Sequence, residues 1–194
     1  MVNLVKDKID EAVVHFADAM MNDELHVHFF PNEKTRKRKL KYLFKYKLQT
    51  QIHDCIATSP LLEGLAIWEQ PHDHRDTISL KDILGFQLLF TCGIKSFLKM
   101  VKYYVWAEDI RNNLITEPHW YLDTVIVQPI FQGKGYASQL IKPILEKASQ
   151  KNEKVYLETQ NEKNVPIYER YGFELISTQH VKGTEFKHFS MIKK

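Results

Sequence analysis

Apolar residues in the first half of the chain recur at the spacing of amphipathic helices. Two stretches are typical of helices: Asp23 to Phe30, which Pro31 ends, and the strongly basic Thr35 to Gln51. Ser79-Leu-Lys-Asp82 matches a capping box and predicts the start of another helix, which Gly93 breaks. The two clearest apolar series are Ile9, Ala12, Val13, Phe16, Ala17 and Met20, and then Ile94, Phe97, Leu98, Val101, Tyr104 and Val105.

Shorter runs rich in β-branched and aromatic residues predict strands. Asp54 to Thr58 and Glu63 to Glu69 flank Ser59-Pro60, which indicates a hairpin. The second half predicts, in order, a long strand at His119 to Val127, a helix from Gly135 onward, a strand at Val155 to Thr159, a short helix at Asn164 to Tyr171, and strands at Glu174 to Val181 and Glu185 to Ile192. We therefore expect one domain of mixed α+β class over residues 1–194, with helices early and alternating strands and helices late.

Composition narrows the class of protein further. The chain has 194 residues, 44% hydrophobic and 26% charged, which is typical of a folded globular protein. Its net charge of +3 is too small to indicate a polyanionic partner for the whole protein. Two cysteines, Cys55 and Cys92, rule out a disulfide scaffold and fit a reducing compartment. The N-terminus lacks the features of a signal peptide and no apolar run approaches the ~18 residues that cross a bilayer, so we expect a cytoplasmic protein with no membrane association.

A glycine-containing loop between a strand and a helix is the most informative segment. It reads Val125-Ile-Val-Gln-Pro-Ile-Phe-Gln132-Gly-Lys-Gly135-Tyr-Ala137. Free N–H groups at a helix start, glycines and Lys134 together make a credible pyrophosphate cradle. The spacing fits neither the P-loop nor the three-glycine dinucleotide fingerprint, whose third glycine is replaced by Ser138. From this loop alone, a strand-to-helix turn without a ligand is about equally favoured.

Two blocks of sequence together resemble the GNAT acetyltransferases. Gln132-Gly-Lys-Gly135-Tyr-Ala137 matches the Gln/Arg-x-x-Gly-x-Gly/Ala signature of that family, and Asn161 to Phe173 is similar to its Asn…Tyr…Gly-Phe block. His119 to Leu122 and Leu157 to Thr159 look most like the puromycin N-acetyltransferase branch. The resemblance covers about residues 119–173. It implies a three-layer fold with a central, mostly antiparallel sheet, an acetyl-CoA-binding half at about 119–194, and acceptor-side helices at about 1–115.

The resemblance also implies which residues hold the cofactor. In the family, the strand before the loop diverges from the next strand, and the pantetheine arm lies in the opening. The backbone of Val125, Ile126 and Val127 would bind that arm, with Asn161 and Asn164 as further partners, although turn formation is an equal alternative for Asn164. The pyrophosphate would be held by Gln132, Gly133, Lys134, Gly135, Tyr136 and Ala137, with a hydroxyl from Ser138.

Catalytic roles follow in the same way. Tyr168 matches the family tyrosine that protonates the departing thiolate, a role that suits a phenol with a pKa near 10. Glu158 and His119 are candidate bases that would deprotonate the acceptor amine, ahead of Asp123. Strict alternation along the strand would place Asp123 on the same face as both Tyr121 and Val125. Trp68, Tyr103, Trp106, Trp120 and Tyr121 are candidates for an aromatic acceptor site or for the core.

Other signals favour structural roles. The basic run from Lys34 to Lys47 has apolar residues beneath it and indicates a solvated helix face rather than a nucleic-acid or membrane surface. His72-Asp-His74 with Asp76, and His26-x-His28, have metal-like spacing but no partner motif, so we expect no metal site.

We therefore expect an acetyl-CoA-dependent N-acetyltransferase that acts on a small-molecule amine by direct transfer, as a monomer or homodimer without nucleic-acid partners. The alternative is a CoA-binding sensor or interaction module that has lost catalysis. The sequence does not identify the acceptor amine.

Overall fold

The computed structural model describes residues 1–71 and 80–194, and helices form where the apolar spacing predicts them. The helices of these residues are α1 (Ile9–Ala19), α2 (Glu24–Phe29), α3 (Glu33–Thr50), α4 (Leu80–Cys92), α5 (Ile94–Leu114), α6 (Tyr136–Gln150) and α7 (Val165–Glu169). Gly93, with φ of 83°, separates α4 from α5 as predicted. Ser79 of the proposed capping box lies outside the described residues, as do His72, His74 and Asp76.

The strands of the described residues form one mixed sheet. They are β1 (Val2–Asn3), β2 (Cys55–Ala57), β3 (Gly64–Glu69), β4 (His119–Val127), β5 (Lys154–Thr159), β6 (Glu174–His180) and β7 (Lys187–Lys193). Their order is β1-β2-β3-β4-β5-β7-β6. Every neighbouring pair is antiparallel except β4 and β5, which run parallel. The predicted hairpin and the predicted closing pair of strands are confirmed.

Alternation along β3 separates two hydrophobic clusters on opposite faces of the sheet. Leu65 and Ile67 join the cluster formed with helices α1 to α5, whereas Ala66 and Trp68 join the cluster formed with α6 and α7. The sheet therefore lies between two helical layers, which confirms the predicted three-layer fold class.

Four of the six residues in the apolar stripe predicted on α5 face outward, whereas Phe97 packs against the core and Tyr104 lines a cleft. Ile94, Leu98, Val101 and Val105 are between 43% and 63% exposed, while the buried face consists of Ser96, Met100, Tyr103, Ala107 and Ile110. Small and polar residues on the packed side weaken the amphipathic signal, so the spacing predicted the helix but not its buried face.

Arg36 organises the chain around α2 and α3 from inside the fold. Its guanidinium is buried and donates hydrogen bonds to the carbonyls of Phe30 at 2.7 Å, Met21 at 3.0 Å and Pro31 at 3.1 Å. Three carbonyls of irregular backbone thus find their donors in one side chain.

We expect Arg36→Ala to lower the free energy of unfolding by about 3 kcal/mol or more, because it strands carbonyls that burial separates from water. Urea unfolding at constant m-value measures the change. Arg38→Ala, on the exposed side of the same helix, is the control and should change stability by less than about 0.5 kcal/mol. Equal losses in the two variants would contradict this role for Arg36.

Candidate active site

The sheet opens between its two parallel strands. β4 and β5 pair over four residue pairs, from His119 with Lys154 to Leu122 with Leu157. Beyond them, β4 stays paired with β3 and β5 with β7, so in the described chain the facing edges of 123–127 and 158–159 lie apart. Unpaired backbone groups at such edges can bind an extended ligand that carries amides.

A β-bulge at Asp123 changes which side chains enter the opening. Ile67 faces Thr124 and Trp68 faces Leu122, which leaves Asp123 as an extra residue on β4. Leu122 before the bulge and Val125 after it consequently pack with the same cluster. The strict alternation expected for this strand is therefore wrong at Asp123.

A cleft of about 130 Å³ lies at the opening. Its walls come from the α1–α2 region, α3, α5, β4, β5 and α7. The residues around it are Met20, Asp23, Leu25, His26, Phe44, Lys47, Tyr103, Tyr104, Tyr121, Leu122, Asp123, Thr124, Val125, Glu158, Thr159, Gln160, Asn164 and Tyr168. Of the predicted catalytic candidates, Glu158 and Tyr168 thus share this cleft.

Glu158 is a carboxyl poised between its two protonation states. Its side chain is 9% exposed. Burial raises its pKa to about 7, and the guanidinium of Arg111 partly offsets that effect. Tyr121 Oη donates a weak hydrogen bond to Glu158 Oε2 at 3.4 Å. A carboxylate with a pKa near neutrality is suited to accept a proton from a bound amine.

Tyr168 carries a hydroxyl that stays protonated. The residue lies on α7, and its ring packs edge-on against Phe173 at a centroid distance of 6.0 Å. Burial, and secondly the neighbouring Tyr171, raise the pKa of Tyr168 to about 12. Its hydroxyl is therefore a hydrogen-bond and proton donor at neutral pH.

His119 lies outside the cleft. It is the first residue of β4. It lies at the end of the β4–β5 pairing that is farther from the opening. Its Nδ1 donates to the carbonyl of Glu117 at 2.8 Å, and its ring contacts Tyr156. The structure thus brings together only two of the three predicted catalytic residues.

An ion pair that the sequence did not predict lies in the cleft. The ammonium of Lys47, at the end of the basic run, is 2.7 Å from Asp123 Oδ2 and 2.9 Å from Oδ1. Burial disfavours the charged ammonium, but Asp123 outweighs burial and the pKa of Lys47 is raised. Ion pairs of Lys37 with Asp18 and of Lys45 with Asp10 also tie this helix face to the fold.

The glycine loop leaves the start of α6 open. Gly133 and Gly135 have φ of 75° and 85°, and a Cβ at either position would meet nothing within 4 Å. Gly135 is also the N-cap of α6 and has no side chain with which to cap it. Tyr136 packs edge-on against Phe131, and Lys134 lies 5.4 Å from the centre of that ring. Exposed N–H groups beside empty space fit a phosphate group.

The polar residues near the loop and α7 form short-range hydrogen bonds. Gln132 Nε2 donates to the carbonyl of Val127 at 3.2 Å, and Ser138 Oγ lies 2.8 Å from Tyr171 Oη. Asn164 Nδ2 donates to Thr159 Oγ1 at 3.1 Å beside the cleft, whereas the Asn161 side chain accepts from the Lys163 N–H.

The aromatic candidates divide between cleft and core. Tyr103 and Tyr121 line the cleft. Trp68 and Trp120 pack edge-on in the α6 cluster at 6.5 Å, and Trp106 contacts His188.

The structure also addresses the histidine and cysteine candidates. His26 Nδ1 is 2.6 Å from Asp23 Oδ1. Within the described ranges, no three ligand-type residues cluster as a metal site.

Cys55 and Cys92 are buried, and burial raises the pKa of both thiols. Both are therefore buried, free thiols.

The pKa of Glu158 predicts a pH-dependent stability. Because the folded protein binds this proton more tightly than the unfolded chain, the stabilisation is complete below pH 4.5 and is lost as the pH rises to about 7. We expect the stability of Glu158→Gln relative to wild type to increase by about 3 kcal/mol between pH 4 and 8. Urea unfolding across this range measures it, with Glu146→Gln on the exposed face of α6 as the control. Parallel pH profiles for all three proteins would contradict the raised pKa.

Comparisons with known proteins agree with this architecture. The acetyltransferase (GNAT) domain family matches residues 96–194, just over half of the chain. An uncharacterized N-acetyltransferase of Schizosaccharomyces pombe is 27% identical over 173 residues, which cover 84% of this chain and 69% of that protein. The uncharacterized N-acetyltransferase YafP of Escherichia coli is 30% identical over 98 residues, which cover 48% of this chain and 62% of that protein.

Solved structures share the whole fold at low identity. An acetyltransferase of Corynebacterium glutamicum, described as histone acetyltransferase HPA2 and related acetyltransferase, has a TM-score of 0.68 and 18% identity, covering 99% of this chain and 93% of that one. Arylalkylamine N-acetyltransferase 2 of Aedes aegypti has a TM-score of 0.62 and 13% identity, covering 99% and 96%. Within the described residues, no helix has the length and apolar character to cross a membrane. With the family match over α5 to β7, the chain belongs to the GNAT acetyltransferases and is an acetyl-CoA-dependent acyltransferase.

Proposed function

We propose that this protein transfers an acetyl group from acetyl-CoA directly to the primary amine of a small molecule. The observation that carries the proposal is the meeting of Glu158, with a pKa near 7, and Tyr168, with a protonated hydroxyl, in one cleft where the sheet opens. One group can remove a proton from the amine while the other donates one. Direct transfer needs no nucleophile on the protein, and the two cysteines are buried.

The residues beside the cleft fit the donor. The unpaired edge of β4 at Val125, Ile126 and Val127 offers backbone groups to an amide-bearing arm, and Asn164 lies across the opening. The N–H groups at the start of α6, preceded by Gly133 and Gly135, suit a pyrophosphate, with Gln132, Lys134, Tyr136, Ala137 and Ser138 around them. Acetyl-CoA supplies an acyl group activated as a thioester.

The protein's own groups then manage the protons. Glu158 takes a proton from the amine, so that the nitrogen lone pair is free to attack. Tyr168 Oη gives its proton to the thiolate that leaves, and the second proton that the nitrogen loses as the amide forms restores the phenol, so that one proton per turnover passes from Glu158 to solvent. We assign the base to Glu158 rather than to His119, because His119 lies at the far end of the paired β4 segment.

The cleft favours a slender cationic acceptor. Its volume of about 130 Å³ accommodates an amine-bearing arm but not a folded protein surface. The carboxyl of Glu158, with the rings of Tyr103 and Tyr121, suits an ammonium on an alkyl or aromatic group, whereas Asp123 is already paired with Lys47. Membership of the puromycin N-acetyltransferase-like branch and a cytoplasmic location stay predictions from the sequence.

A panel of primary amines with acetyl-CoA, followed by release of free thiol, tests the function. The panel includes polyamines, arylalkylamines, amino sugars and short peptides. We expect turnover with at least one small amine above that with any peptide. Turnover confined to peptides contradicts the proposed acceptor class, and cofactor binding without turnover across the panel favours a non-catalytic module.

The glycine loop yields a prediction with a matched control. Acetyl-CoA at about 100 times its Kd should stabilise the wild-type protein by about 2.7 kcal/mol and raise Tm by roughly 5–10 °C. Gly135→Ala should lose most of this shift, because its Cβ enters the space left for the phosphate. Gly183→Ala has nearly the same φ, 83°, in the β6–β7 turn and should keep it. Equal ligand shifts in both variants would show that the loop does not hold the cofactor.

Tyr168→Phe removes one hydroxyl and keeps the ring against Phe173. We expect kcat to fall about 10²–10⁴-fold with little change in the Kd of acetyl-CoA, because only proton donation is lost. Steady-state kinetics with an amine from the panel and a binding titration measure the two effects. Tyr42→Phe, on the exposed face of α3, is the control. A wild-type kcat where chemistry limits the rate would remove Tyr168 as the acid.

A further inference from the structure

Three polar side chains from separate parts of the chain form a hydrogen-bonded chain that runs from the wall of the cleft into the core. Tyr103 comes from α5, Gln160 follows β5, and His188 lies on β7. Gln160 Nε2 donates to Tyr103 Oη, which lies 3.0 Å from His188 Nδ1. His188 is completely buried and Tyr103 nearly so. Gln160 and His188 carry no role in the acetyl transfer described above, and Tyr103 contributes only its ring.

The direction of these hydrogen bonds favours one tautomer of His188. An amide N–H can only donate, so the oxygen of Tyr103 accepts from Gln160. The single hydroxyl hydrogen of Tyr103 is then available for His188 Nδ1 to accept. A neutral imidazole that accepts at Nδ1 carries its hydrogen on Nε2. Burial lowers the pKa of His188 to about 4, so the ring is neutral at the pH of the reaction.

Glu158 offers an acceptor for the hydrogen on Nε2. His188 Nε2 lies 4.0 Å from Glu158 Oε1. Both atoms are buried, and neither has a hydrogen-bond partner among the residues described. A buried N–H without an acceptor and a buried carboxylate oxygen without a donor are both costly. An approach of about 1 Å between the two side chains would bring these atoms into hydrogen-bond distance.

We propose that His188 is a positioning residue, whose Nε2–H holds Oε1 of Glu158 and leaves Oε2 to accept the proton of the amine. This inference rests on the proposed function of Glu158. Tyr103 and Gln160 act one step further back, because they keep the hydrogen of His188 on the nitrogen that faces the carboxylate. The arrangement differs from a catalytic triad in that His188 gains no proton during the reaction.

Other groups also face Glu158, and the test must separate their effects from that of His188. They are Arg111 from α5, Tyr121 and Asp123 from β4, and Tyr156 from β5. Substitutions of His188 and Tyr103 leave all four in place. Trp106 packs against His188 at 5.2 Å without taking part in the hydrogen-bonded chain, so Trp106→Phe controls for packing.

The experiment reads the tautomer first, without any substrate. Two-dimensional ¹H–¹⁵N spectra of the histidine rings, with His188 assigned from its loss in His188→Gln, should show the Nε2–H form in the wild-type protein. Tyr103→Phe should populate the Nδ1–H form as well, whereas Trp106→Phe should not. An Nδ1–H tautomer in the wild type overturns the proposal, because Nε2 would then have no hydrogen to donate.

A ¹³C titration of the Glu158 carboxyl then measures the contact. Loss of an N–H donor to the carboxylate in His188→Phe should raise its pKa by about one unit, and the acidic limb of kcat/KM should move with it. His188→Gln retains an N–H donor and should restore most of the shift. An unchanged pKa in folded His188→Phe overturns the proposal. If that variant does not fold, an unchanged pKa in Tyr103→Phe overturns the tautomer control on which the proposal depends.

Glu158→Gln keeps the two proposals distinguishable. Full activity in that variant contradicts Glu158 as the base and so the proposed mechanism. The tautomer and the carboxyl pKa are measured without acetyl-CoA or amine. They therefore decide by themselves whether His188 holds Glu158.

Discussion

The parting of β4 and β5 after four residue pairs is the constraint on which the rest of the site depends. Because β4 and β5 are parallel, both strands end at the same edge of the sheet. The loop into α6 and the segment into α7 therefore leave the sheet at that edge. The bulge at Asp123 releases β4 from its regular alternation at the place where β5 departs. Backbone edges, a helix start and a carboxyl thus converge at this point of the sheet.

Buried polar groups at such an opening destabilise the fold unless they have partners. Charged partners reduce this destabilisation here. Lys47 and Asp123 neutralise each other, and Arg111 lies over the ring of Tyr121 at 4.4 Å while its charge favours ionised Glu158. Burial and the charge of Arg111 act on Glu158 in opposite directions, and burial is the stronger effect. The resulting pKa of about 7 keeps the carboxyl available in both protonation states, which a fully exposed glutamate would not be.

Local signals made much of the site predictable, and long-range contacts set the rest. The Gln132–Ala137 loop and the position of Tyr168 depend on neighbours within a few residues, and Glu158 follows from its place at the end of β5. The basic run predicts a solvated face that includes Lys47, because its partner, Asp123, is 76 residues away and nothing in the run indicates it. The contact between Tyr103 and His188 joins residues 85 apart, and the bulge depends on the register between β3 and β4. The sequence makes His119 a candidate base, but it lies outside the cleft. A strand sequence does not show at which end the sheet opens.

The two sides of the cleft come from different parts of the chain. Residues 96–194 supply the open strand edge, the loop, Glu158 and Tyr168, whereas Asp23, Phe44 and Lys47 reach the cleft from helices before that region. If the cleft takes the acceptor as proposed, its wall is shared between the family-matched half, which supplies Tyr103, Tyr121 and Glu158, and the helices before it. Likeness confined to the second half of such chains therefore covers only part of the proposed acceptor wall, and the first half has to be compared as well.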